Sequence, residues 1–153
     1  ANWAPEPATP FIFSVDAVPE IPPVTLAAWL ALHPGGPVGD AAFLASDTDG
    51  DGLNGLMEFA FNGMPSIPDA LSGLAVPFHR DPEEAGFEYT RWSNAPELRY
   101  ECEVSADLTA WSAPSPAGMT QSIEALPGGM ERVKIRLLQP GSRRFIRVRI
   151  SRL

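Results

Sequence analysis

The sequence predicts a mainly β protein with a small helical region: an extended N-terminal arm, short helices around an acidic loop, and a C-terminal antiparallel β-sandwich. Three observations carry that prediction. Beyond about residue 74, apolar side chains recur at every second position, the period of a half-buried strand. Seventeen Pro and thirteen Gly among 153 residues cut the chain into short elements, with none of the periodicity that collagen requires. The longest uninterrupted apolar run, Leu26 to Leu32, is seven residues, far short of the ~20 that a membrane helix needs. Membrane insertion is therefore not expected, and neither is a long helical bundle.

The elements follow in order. Residues 1–23 form a Pro-rich arm enclosing a short β-prone run, Phe11-Ile12-Phe13-Ser14-Val15. Proline on both sides confines such a strand to a sheet edge or an extended crossing. Residues 24–70 are the helical region. Thr25 offers an N-cap for a helix from Leu26 to His33, which Pro34-Gly35-Gly36-Pro37 stops. A second short helix covers Ala41 to Ala45, and a third runs from Asn54 to Phe61, ended by Asn62-Gly63. From Leu56 onward only Glu58 in that third helix is polar, a pattern of burial.

Residues 71–153 read as the sandwich. Leu74 to His79 is a strand weakened by Pro77, and Gly86 to Ser93 is a second. Glu97 to Ser105 alternates Leu98, Tyr100, Cys102 and Val104 with charged residues. Gly118–Leu126 and Met130–Leu137 are joined by Pro127-Gly128-Gly129, a hairpin signal. Arg143 to Arg152 closes the chain. Tyr100, Cys102, Val104, Val133, Ile135, Ile146, Val148 and Ile150 are expected to share one core, with Arg147 and Arg149 facing water.

Charge divides the chain as well. Residues 1–79 hold nine acids and no Lys or Arg; residues 80–153 hold all eleven cations against ten acids. The net charge of −8 thus belongs to the first half, which would repel phosphate and excludes nucleic acid as its partner. Cys102 is the single cysteine, so neither an internal disulfide nor a Cys-type zinc site can form. The opening Ala1-Asn2-Trp3 is what signal-peptide removal would leave, and also what a piece of a longer protein would show.

One stretch carries specific chemistry. Asp47-Thr48-Asp49-Gly50-Asp51-Gly52-Leu53-Asn54-Gly55-Leu56-Met57-Glu58 satisfies D-x-[DN]-x-[DN]-G-x5-E at every fixed position. A calcium-sized cation takes six to eight oxygens at ~2.3–2.6 Å. Asp47, Asp49 and Asp51 would wrap it from one side, Gly52 permits the turn, Leu53 supplies a carbonyl and Glu58 closes the far side. Gly55, at position nine, leaves that corner to a water. Position eight is Asn54 rather than the aliphatic residue that bridges paired sensor loops, so the EF-hand-like loop is read as structural.

The run Asp47 to Pro65 resembles the calcium loops of dockerins and thrombospondin type 3 repeats. It is most similar to a D-x-D-G-D-G-L-S-N-L-x-E-Y-A-L-G module of exported Verrucomicrobia-like proteins. That module precedes a β region with Y-x-V-E-x-S-x-D-L-x-x-W and R-R-F-x-R-L-R-V, matched here by Tyr100 to Trp111 and Arg143 to Arg149. The resemblance spans about residues 40–153 and implies calcium, an extracellular or cell-surface location, and Leu153 as a natural end. A single loop does not support cohesin binding.

No H-E-x-x-H, G-x-S-x-G, P-loop or G-x-G-x-x-G motif occurs, and His33 and His79 are the only histidines. The chain is therefore not expected to be an enzyme. It reads as a calcium-stabilised structural module that associates head-to-tail with copies of itself through Phe11, Ile12, Phe13, Ser14 and Val15. The alternative is a calcium-dependent carbohydrate-binding module, with Trp3, Trp29, Trp92 and Trp111 as stacking faces for a polysaccharide.

Overall fold

The computed structural model describes residues 20–33, 39–68, 75–81, 84–115, 118–138 and 145–153, with the side chains of 75–81 and 84–85 excepted. The expected strand Phe11–Val15 lies outside the described residues. Among the described residues three short helices precede six antiparallel strands, so the mainly β architecture with a small α region is the one observed.

Thr25 caps the first helix, α1 (Leu26–Leu32), its hydroxyl accepting from Ala28 N–H at 3.2 Å. The second, α2 (Asp40–Ala45), starts one residue earlier than expected. In the third, α3 (Gly55–Phe61), Asn54 is the cap rather than the first helical residue, its Oδ1 accepting from Met57 N–H at 3.1 Å. The helix ends on Asn62 at φ +58°, the left-handed conformation that Asn tolerates best after Gly.

The strands are β1 (Ala75–Asp81), β2 (Glu84–Trp92), β3 (Leu98–Ser105), β4 (Met119–Leu126), β5 (Met130–Leu138) and β6 (Phe145–Arg152). They form a four-stranded sheet in the order β1-β2-β5-β4 and a two-stranded sheet of β3 and β6. Pro77 sits in β1, an edge strand, where a missing N–H costs least. The Pro127–Gly129 turn joins β4 to β5, with Gly128 and Gly129 both at φ +75°.

The two sheets close on each other through Phe87, Tyr89, Val133 and Ile135 on one side and Tyr100, Cys102, Ile146 and Val148 on the other. Most of the expected core is therefore shared. Val104 is in neither cluster; its backbone exchanges hydrogen bonds with Ser112. Ile150 packs instead into a second cluster, where α1, α2 and α3 cover one end of the sandwich. Leu26, Trp29, Phe43, Phe59 and Ala60 of the helices meet Trp92 and Leu98 there, with Tyr100, Met130 and Ile150 at the margin. Register explains the location: Trp92 pairs with Met130, and Tyr100 with Ile150, all at the same end of the two sheets. The three helices thus complete their core with side chains from the strands.

Arg147 and Arg149 face outward and pair with Glu103 and Glu101 of β3. Cys102 faces the core, and burial, with Glu103 beside it, pushes its thiol up to about 11. Thiol reagents attack the thiolate, so at neutral pH labelling in the native state is expected to run roughly a hundredfold slower than for a thiol of pKa 9. Timed reaction with an iodoacetamide dye, native against denatured, checks this. Labelling at the denatured rate would place Cys102 on the wrong face.

Candidate metal centre

The acidic loop leaves α2 at Ser46 and re-enters the fold at α3. Its conformation follows from Asp47. That carboxylate turns inward, Oδ1 accepting from the N–H groups of Gly50 at 2.8 Å and Asp51 at 3.2 Å, and Oδ2 from Gly52 N–H at 3.0 Å. Asp49 Oδ1 accepts from Asp51 N–H at 3.2 Å, and Asp51 Oδ1 from Leu53 N–H at 2.8 Å. Gly50 and Gly52 lie at φ +79° and +98°, conformations that L side chains rarely adopt.

These turns bring three carboxylates together. One oxygen from each of Asp47, Asp49 and Asp51 lies within 4.8 Å of the others, the spread expected of oxygens ~2.3–2.6 Å from one ion. Asp49 Oδ2 is buried and accepts no hydrogen bond, leaving its desolvation uncompensated by the protein. The donor set is hard and anionic, the chemistry that suits calcium or magnesium rather than a soft metal.

Leu53 and Glu58 are both buried, on either side of the cap residue Asn54. Glu58 is not among the clustered carboxylates. Its side chain lies inside the fold with its carboxylate against Gly63, so close that a Cβ on Gly63 would collide with Oε2. Gly63 also donates its N–H to Glu58 O at 2.8 Å. This glycine has no place in the loop motif, and its only signal in the sequence is the Asn-Gly pair that ends the helix.

Gly55 has a second role beyond position nine. A Cβ there would meet Phe43 O of α2, with the Phe43 ring 2.6–2.8 Å away. Gly55 N–H donates to Ser46 O at 2.8 Å, closing the loop at its base. The loop is thus clamped at both ends by the helix pair.

The tryptophans are placed differently. Trp29 is 2% exposed and Trp92 9%, so neither offers a stacking face. Trp111 is half-buried and carries the Arg147 guanidinium 4.1 Å from its ring centroid. No family model matches this chain, and neither a curated protein nor a solved structure does.

Proposed function

We propose that the chain is a non-enzymatic, calcium-stabilised structural module of an extracellular or cell-surface assembly, associating with copies of itself through its N-terminal arm. The observation that carries the calcium part is the convergence of Asp47, Asp49 and Asp51, with a buried Asp49 oxygen that no protein donor serves. Three like charges this close favour a cation strongly. The ion would be held by those three side chains, with Leu53 O and Glu58 completing the set. It would neutralise the loop on which α2 and α3 meet.

A ligand that binds the folded chain alone stabilises it by RT ln(1 + [L]/Kd), roughly 2.7 kcal/mol at a hundred times Kd. Calcium should therefore raise the melting temperature, EGTA should reverse the rise, and Asp49→Ala should remove the response. Differential scanning fluorimetry with calcium, magnesium and EGTA reads all three. A melting curve indifferent to calcium and chelator would overturn the calcium assignment. Retention on a polysaccharide column that depends on calcium would favour the carbohydrate reading instead.

A further inference from the structure

Sheet edges are open templates for pairing, and folded proteins guard them with proline, bulges, charge or cover. In this fold most edges are guarded. β1 carries Pro77 and an irregular register between His79 and Asp81. The outer side of β3 is bonded to Ser112 at Val104. β6 is studded with Arg147, Arg149 and Arg152.

β4 has none of these. It is an edge strand of eight residues in unbroken register with β5, without proline. Its one charge, Glu124, is tied to Arg132 of its own sheet at 2.9 Å. Among the described residues no backbone hydrogen bond reaches it from beyond β5. Thr120 through Ala125 are exposed, on both faces of the strand. Gln121 and Ile123 pair with Ile135 and Val133, which are fully buried, yet Ile123 is 52% exposed. Met119 still packs against the core, but beyond it the inner row of β4, Gln121, Ile123 and Ala125, is uncovered.

We propose that the outer edge of β4 accepts Phe11–Val15 of a second copy as an added strand, an inference that rests on the self-associating reading above. The segment is uncharged and alternates Phe11, Phe13 and Val15, suited to the exposed Ile123 and Ala125 beside this edge. The point of entry into the fold selects the copy. Ile21 lies against the turn at the end of β4: its Cγ2 is 3.6 Å from where a Cβ of Gly129 would be, and its carbonyl accepts from Asn94 Nδ2 at 2.7 Å. Running straight back from there along its own β4, a chain's own arm would pair with it in parallel. Among the described residues every ladder is antiparallel, the pairing with the better hydrogen bonds. A second copy's arm is free to arrive antiparallel. Arm into neighbouring edge is a heterologous contact, and repeated it gives an open filament.

The test uses the full chain in calcium, by sedimentation velocity and negative-stain electron microscopy. Wild type is expected to form open assemblies. Ile123→Lys, which spoils the edge at an exposed position, and Phe13→Asp, which spoils the arm, are each expected to sediment as monomers. Mixed together they should form one-to-one dimers and nothing longer, because one retains a working arm and the other a working edge. Gln121→Lys, in the same row, repeats the edge arm of the test should Ile123→Lys fold poorly by circular dichroism. Edge variants that assemble like wild type would overturn β4 as the acceptor while leaving self-association standing. Phe13→Asp dimerising alone would overturn the arm as occupant and point to β4 pairing with another β4. A wild type that stays monomeric, with both variants less stable and no dimer on mixing, would assign the strand to its own chain and remove the self-association reading too.

Discussion

Replacing Trp92 with alanine is expected to cost about 3–5 kcal/mol of stability, the usual range for a large buried aromatic. Trp92 ends β2 and is the sheet residue at the centre of the helix-capped cluster, among Leu26, Trp29, Phe43, Phe59 and Leu98. Its indole N–H also donates to Phe59 O at 2.7 Å in a buried bond between β2 and α3. Alanine both opens a cavity and removes that bond, leaving Phe59 O only the longer 3.4 Å contact from Asn62 N–H. For a chain of this length each kcal/mol moves the midpoint by about 2–4 °C, so the melting temperature should fall by roughly 6–20 °C. Trp92→Phe keeps most of the volume and should lose mainly the hydrogen bond. Urea unfolding followed by circular dichroism separates the two. Equal losses for both variants would mean that the bond, not the packing, dominates at this position.

Gly55→Val should be comparably severe, by the opposite route. The site has no room: the first atom of any side chain would meet the Phe43 carbonyl, and the ring is almost as near. Backbone oxygen cannot swing aside as a flexible side chain does. Overpacking costs about 1–3 kcal/mol and occasionally more, and valine adds β-branching within the first turn of α3. The two helices must separate, which spreads the base of the acidic loop where Gly55 N–H meets Ser46 O. The variant is therefore expected to lose the calcium response along with stability, whereas Trp92→Ala, away from the loop, should keep it. Isothermal titration with calcium on both proteins makes the comparison. A Gly55→Val protein with wild-type calcium affinity would show that the loop is formed independently of helix packing.

The sequence was legible where its signals are local. Alternation of apolar and charged residues between Leu98 and Val104, or between Val133 and Leu137, fixes which side faces inward without knowledge of any partner strand. Thr25 announces a helix start because a cap acts within three residues, whereas Asn54, read as the first residue of the third helix, is its cap. The Asp triad is legible for the same reason, its hydrogen bonds spanning two to five positions. What was not legible depends on distant contact. Ile150 has the same alternating pattern as Val148, and only its pairing with Tyr100 near the helices sends it to the other cluster. Trp92 offered no sign that it faces α3, 33 positions away. Gly55 and Gly63 read as loop and turn glycines, since the atoms that exclude a side chain there belong to Phe43 and Glu58. The four-plus-two division of strands could not be read at all, because period alone does not say which strands are neighbours.

The segment around Asn94 to Glu97 determines how the protein bears mechanical load. Asn94 O receives Val24 N–H at 2.8 Å and its side chain donates to Ile21 O; Glu97 receives Leu26 N–H at 3.0 Å on its side chain and Leu153 N–H at 2.9 Å on its backbone. Arg152 pairs with the same Glu97 carboxylate at 2.7 Å. A pull applied between the arm and the C-terminal end is therefore carried by four residues of the β2–β3 connection together with the β3–β6 ladder, in which Arg152 pairs with Leu98. These few bonds would break one after another, as a zipper opens, while the long β2–β5 and β4–β5 pairings stayed out of the line of force.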